Sequence, residues 1–328
     1  MNINTYIDTL GIRCECDSKY QRDSLFSRLI NFLREKKIVA IKYNEKRSNK
    51  YYQVTDLLFA NRKLATINKG YYKNENNILN PDYYYININF YGLKRYNIEK
   101  DDASILLIKL ITAFLNTKKI HFILIELDIA MDIESKIENI LALCTRRSPN
   151  VNYYQLGNTD IKGKNIQDNK GTYYIEKFNS YKQKKNAMSR AYLYNKRYKE
   201  LSKFKRDIGC DITRFELKLQ KRYFVNNEYT GGSIYKAMEK YSVLWFENMK
   251  QKELFIEQYN KVKTSRKRRK RLDIALENNN VVLLTPNLNN VSSFLREIDS
   301  ITFNSKGNFK YVKHENYLYC QSKFNRKY

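Results

Sequence analysis

Three short stretches carry side chains whose types and spacing could do chemistry on a phosphate. In Glu126-Leu127-Asp128-Ile129-Ala130-Met131-Asp132, a strand would set Glu126, Asp128 and Asp132 on one face and Leu127, Ile129 and Met131 on the other. Carboxylates in a row repel one another and lose hydration when covered. A hard divalent cation, Mg²⁺ or Mn²⁺, relieves both problems. The plainer alternative is a solvated strand face beside basic residues.

The second stretch is Ser189-Arg190-Ala191-Tyr192-Leu193-Tyr194-Asn195-Lys196, where Arg190, Tyr192, Tyr194 and Lys196 share a strand face. A phenol titrates near pH ~10, and neighbouring cations favour its phenolate. A tyrosine so placed can attack phosphorus while Arg and Lys neutralise the charge that develops. Against this, the chain holds 29 tyrosines, and most must pack or stack. The third stretch is Thr213-Arg214-Phe215-Glu216-Leu217-Lys218-Leu219, with Arg214, Glu216 and Lys218 alternating with apolar residues. Glu216 could complete a metal site with Asp128, and Arg214 and Lys218 could hold phosphates. The alternative is a cross-strand ladder of ion pairs.

The charge balance points the same way. Lys and Arg number 61 against 34 Asp and Glu in 328 residues, a net charge of +27. Such an excess repels itself unless a polyanion neutralises it, and nucleic acid is the usual one. Residues 177–222 hold 15 of the basic residues against 4 acidic ones, with Tyr181, Tyr192, Tyr194 and Tyr198 interleaved. Cations track a phosphate backbone and aromatic faces stack on unpaired bases. A second basic element is Arg266-Lys267-Arg268-Arg269-Lys270-Arg271. Six like charges in succession suit an anchor on duplex phosphates better than a reader of bases.

Other classes fall away. Two histidines, His121 and His314, cannot make a His-x-His or HExxH metal site, and a Ser-His-Asp triad is a poor fit. Gly157–Lys164 has one residue too many between its glycines for a P-loop, and Asn165 stands where Ser or Thr is needed. The cysteines, Cys14, Cys16, Cys144, Cys210 and Cys320, form no CxxC and suit a reducing cytoplasm. No apolar stretch reaches the ~18 residues of a membrane span, and no secretory leader opens the chain.

The elements that must position these residues follow from periodicity. Strands are expected at 4–16, within 37–68 around a turn near Asn61–Lys63, and at 83–91, 120–132, 151–156, 171–177, 188–196 and 211–219. Helices are expected at 21–36, 101–116, 134–145 and near 197–206. The pattern predicts an α+β fold, an antiparallel-rich sheet with helices on one face. Beyond Gly231–Gly232 a helical region is expected: a long helix over 234–259, the basic helix, a helix at 290–299 and a hairpin at 301–328. This divides the chain into 1–230, carrying the chemistry, and 231–328, a basic DNA-binding region.

In their order these segments resemble the trans-acting rolling-circle replication initiators, which include plasmid Rep proteins and the wider replication initiation factor group. The opening strand Ile7-Asp8-Thr9-Leu10, the segment YININFYGLKRY with the following helix, ELDIAMD, and RAYLYNKRYKE followed by TRFELKL all match in sequence order. The resemblance covers roughly residues 5–222. It implies a relaxase/Rep-like nuclease fold, Tyr194 as nucleophile, Asp128 and Glu216 as metal ligands, a host helicase as partner and a homodimer. The implied reaction nicks one strand at an origin and leaves a 5′-phosphotyrosine and a 3′-OH that primes a host polymerase. Asn89 stands near where that family tends to carry Glu, and Glu126 replaces an Arg. Glu200 falls one place late, and Tyr192 is a rival nucleophile. Two other readings compete: a non-catalytic basic DNA- or RNA-binding protein, and a tyrosine recombinase, which usually needs a histidine near its arginines.

Overall fold

A computed structural model of the chain describes residues 1–49, 52–72, 83–93, 102–148, 151–156, 172–175, 189–220, 231–262, 264–278, 281–289 and 291. The P-loop-like segment, the expected helix at 290–299 and the expected hairpin at 301–328 lie outside the described residues, Val291 apart. The chain folds as two compact units. The first holds residues 7–128, and the second holds 1–6, 129–219 and 227–291.

In the first unit the strands run in the order β2 (Ala40–Tyr43), β3 (Tyr52–Phe59), β4 (Arg62–Tyr72), β5 (Tyr83–Tyr91), β1 (Ile3–Cys16), β6 (Phe122–Ile133). The β1–β5, β2–β3, β3–β4 and β4–β5 pairings are antiparallel. Alternation gives the sheet two unlike faces. Leu10 faces Phe90, Ile12 faces Ile88 and Cys14 faces Ile86, all buried. Helix α1 (Lys19–Lys36) packs near β4 and β5, burying Leu25, Phe26, Leu29, Ile30 and Leu33. Their spacing puts them on one helical stripe. Ser18 starts the helix by accepting a hydrogen bond from the Gln21 amide. Helix α2 (Asp102–Thr117) buries Leu107, Ile108, Ile111 and Leu115. The other sheet face is polar: Asn87 lies between Arg13 and Asn68 and accepts from Arg13 Nε at 2.7 Å. A Cβ on Gly11 would stand 2.8 Å from Asn89 Oδ1 and 2.9 Å from Glu126 Cβ, so only glycine fits this crossing. The β3–β4 turn places Ala60 and Asn61 at φ 46° and 61°. Two left-handed residues give a hairpin turn whose twist matches its strands.

In the second unit the ends of β1 and β6 are followed in order by β11 (Thr213–Gln220), β10 (Ser189–Asn195) and β9 (Thr172–Tyr174). A separate sheet runs β13 (Val282–Leu284), β12 (Tyr241–Trp245), β7 (Ile140–Ser148), β8 (Val151–Leu156). This corrects two expectations. Residues 134–145 are a single 3₁₀ turn, Ile137–Asn139, and the start of β7 rather than a helix. The reason is non-local, because β7 pairs with β12 on one edge and β8 on the other. The long helix expected over 234–259 is α4 (Gly231–Met238), then β12, then α5 (Met249–Asn260). Tyr241-Ser-Val-Leu-Trp is rich in β-branched and aromatic residues. Asn248 restarts the helix by accepting from the Gln251 amide. Helices α5 and α6 (Ser265–Glu277) close a core of Leu143, Leu244, Phe246, Phe255, Tyr259, Leu272 and Val281. No helix among the described residues is long and apolar enough to cross a membrane.

Candidate active site around Tyr194

Strands β10 and β11 pair antiparallel with Arg190 opposite Lys218, Tyr192 opposite Glu216 and Tyr194 opposite Arg214. Ala191, Leu193, Phe215 and Leu217 point the other way and are buried. One face of this pair therefore displays all six polar residues as three rungs, and the other fixes the strands in the core. Tyr194 is 3% exposed. Its hydroxyl leans diagonally one rung along and donates to Glu216 Oε2 at 2.7 Å. Glu216, Tyr192, Arg190 and Lys218 are half-buried.

Directly after the tyrosine the strand turns into helix α3 (Lys196–Phe204). Asn195 causes the switch, its side chain accepting from the Tyr198 amide at 2.9 Å. The helix brings the Lys199 ammonium 3.8 Å above the centre of the Tyr194 ring. A cation over an aromatic face is attracted by the ring quadrupole. Sequence reasoning missed Lys199, whose approach depends on the strand-to-helix turn. Lys196, expected as a supporting cation beside Tyr194, is buried and ion-pairs with Glu200 at 2.6 Å. Arg206 holds the other Glu200 oxygen at 2.6 Å. Burial works to raise the Glu200 carboxyl, but the hydrogen bonds and charges of Lys196 and Arg206 outweigh it and hold it below its usual range.

Arg214 and Asp132 are paired with each other. Arg214 is 1% exposed, with Nε 2.6 Å from Asp132 Oδ1 and Nη2 3.0 Å from Oδ2. Tyr6, from the other end of the chain, donates its hydroxyl to Asp132 and accepts from Arg214. Arg214 thus neutralises an internal carboxylate. Tyr6 carried no signal in the sequence, since its partners lie on β6 and β11.

Asp128 is buried on β6 in the first unit, and Tyr194 and Glu216 belong to the second. Among the described residues no three His, Cys, Asp or Glu side chains gather to hold a metal ion. Asp132 is paired with Arg214 and Tyr6, and Glu216 accepts from Tyr194.

The run 266–271 lies on α6, capped by Thr264. Arg266, Lys267, Arg269 and Lys270 are exposed, whereas Arg268 and Arg271 are half-buried. Arg268 donates Nε to the Val262 carbonyl at 2.7 Å and covers the Tyr259 ring. The six charges thus divide into four facing solvent and two turned toward the fold.

No family model matches the sequence. No curated protein matches it either. Among solved structures the chain is similar to a rolling circle replication initiator protein from Geobacillus stearothermophilus. The two share 11% identity at a TM-score of 0.36, over 75% of this chain and 88% of that one. A likeness of that size speaks neither to the site residues nor to the reaction.

Proposed function

We propose that this protein cuts and rejoins one strand of DNA by tyrosine transesterification, and so starts rolling-circle replication at an origin. The observation that supports it is the hydrogen bond from Tyr194 to Glu216. A phenol is a weak nucleophile until a base takes its proton, and a carboxylate at 2.7 Å is within reach to do so. In the forward step Glu216 accepts the phenolic proton and the Tyr194 oxygen bonds to phosphorus. The P–O3′ bond breaks, and the proton passes on to the departing 3′ oxygen. The products are a 5′-phosphotyrosine and a 3′-OH from which a host polymerase extends while a host helicase opens the duplex. The reverse step, attack of a 3′-OH on the phosphotyrosine, rejoins the strand without ATP.

Each neighbour has a part. Lys199, over the ring, offsets the charge of the transition state. Arg214, paired with Asp132, acts by fixing β11 against β6. The exposed cations of α6 hold the flanking duplex.

The test is to incubate the protein with single-stranded oligonucleotide, with Mn²⁺ and with chelator, and to look for a denaturation-resistant protein–DNA adduct. Tyr194→Phe should abolish the adduct and Tyr192→Phe should retain it. Salt-sensitive binding with no adduct in the parent protein would leave a non-catalytic nucleic-acid binder.

A further inference from the structure

Helix α3 is built inside out. Lys196 and Glu200, four residues apart, are 9% and 4% exposed and ion-pair at 2.6 Å. Tyr198 and Leu201, three residues apart, are 52% and 48% exposed. At about 100° per residue the two pairs lie on opposite sides of the helix. A helix shaped only by its own core would bury the apolar pair and turn the charged pair to water. Such breaks of a local rule belong to sites with a task. The helix is also held in place. Asn195 accepts from the Tyr198 amide at 2.9 Å. Arg197 grips Asp207 of the following loop through Nε at 2.8 Å and Nη2 at 3.0 Å. Next to Tyr198 in the chain is Lys199, whose ammonium covers the Tyr194 ring.

We infer that the Tyr198 ring, with Leu201 one turn on, is a platform on which one unpaired base of the DNA strand stacks beside the nucleophile. The inference rests on the reading of Tyr194 as that nucleophile. Every base has a π-face, so an exposed tyrosine accepts any of them, and the apolar Leu201 extends the surface that is covered. Charge selects this occupant. Helix α3 carries four basic residues against one acidic residue, in a chain of net charge +27. A second copy of this chain would bring the same excess, and like charge opposes its docking here. A duplex keeps its bases paired and stacked, so only a single strand can use the ring. A tyrosine has two side-chain torsions to fix, and its helix is already anchored, so little freedom is lost on binding. The stacked base fixes its nucleotide beside the one that is cut, and so helps to hold the phosphorus in line for Tyr194.

The test uses full-length protein carrying Tyr194→Phe, so that nothing is cut. It measures fluorescence anisotropy of a labelled single strand without self-complementarity, and of its duplex, over a range of salt. Adding Tyr198→Ala should weaken single-strand binding about tenfold and leave duplex binding unchanged. Adding Tyr198→Phe should preserve the affinity, since stacking needs the ring and not the hydroxyl. The slope of log K against log salt should be the same in all three proteins, because a stacked base releases no counterions. Single-strand affinity unchanged by Tyr198→Ala would overturn the platform. So would an equal loss on duplex, or a Tyr198→Phe protein as weak as the alanine variant. Sedimentation tests the other occupant: a dimer lost in Tyr198→Ala with DNA binding intact would make the stripe an interface between copies and overturn the platform. The thermal midpoint should not fall, and a clear fall with unchanged binding would make the ring structural. None of these readouts needs cutting. If no adduct forms with Tyr194 intact but Tyr198→Ala weakens single-strand binding, the platform stands and the cutting reading fails. An adduct together with unchanged binding in Tyr198→Ala gives the reverse.

Discussion

Arg214 meets Asp132 edge-on in the interior of the second unit, Nε to Oδ1 at 2.6 Å and Nη2 to Oδ2 at 3.0 Å. Two parallel hydrogen bonds fix distance and orientation together. Removing the arginine would take the guanidinium away from a buried carboxylate. Arg214→Ala should therefore cost about 3–5 kcal/mol, read from urea unfolding. Replacing both partners with apolar residues of similar volume should recover most of it. If Arg214→Ala unfolds at the parent's midpoint, the pair is not holding β11 to β6.

Glu216→Gln keeps an acceptor for the Tyr194 hydroxyl but removes the base. Adduct formation should slow by about 10²–10⁴-fold while oligonucleotide affinity stays near the parent's. Single-turnover kinetics on a strand of known cleavage site would show this, and an unchanged rate would remove Glu216 from the chemistry.

Glu200 sets an acid limit on stability. Its folded carboxyl lies below the usual 4.5, so in mild acid the unfolded chain binds the proton first. The stabilisation is complete above about pH 4.5 and is lost as the pH falls through the folded value. Urea midpoints taken from neutral pH downward should hold and then drop. Glu200→Gln should start lower at neutral pH and drop less steeply. Parallel curves for the two proteins would show that other carboxylates govern the acid transition. Asp23 and Asp56 in the first unit are also held low and act with the same sign.

Helix α6 should grip duplex DNA without reading it, since its exposed basic face carries Arg266, Lys267, Arg269 and Lys270. Changing these four to alanine should lower the salt slope of duplex binding by about 3.6 and weaken all sequences alike. The unfolding midpoint should stay put. Arg268→Ala should do the opposite, lowering stability through loss of its bond to Val262. A variant that lost one sequence selectively would mark α6 as a reader.

Most of the strands and helices of residues 1–133 and 189–220 were legible because each announces its own period. Leu25, Leu29, Ile30 and Leu33 mark a helix, and Ile86, Ile88 and Phe90 mark a strand. The rung placing Tyr194 near Glu216 was half legible, since alternation gave each residue a face but not the register between them. What the sequence concealed is set by distant partners. Arg214, Glu216 and Lys218 alternate like a solvated ladder, yet Arg214 is the most enclosed of the three because Asp132 lies beside it on β6. Tyr241–Trp245 reads as helix until β7 and β13 flank it.

Tyr6 and Arg214 are separated by 208 positions along the chain. During synthesis the amino-terminal tyrosine leaves the ribosome long before its guanidinium partner exists. Contacts of such long range close late and slowly. Nascent chains that stall or are clipped before β11 would leave Asp132 without its counter-ion, and they would also lack Glu216. A half-finished polypeptide therefore has neither the internal ion pair nor the acceptor of the Tyr194 hydroxyl.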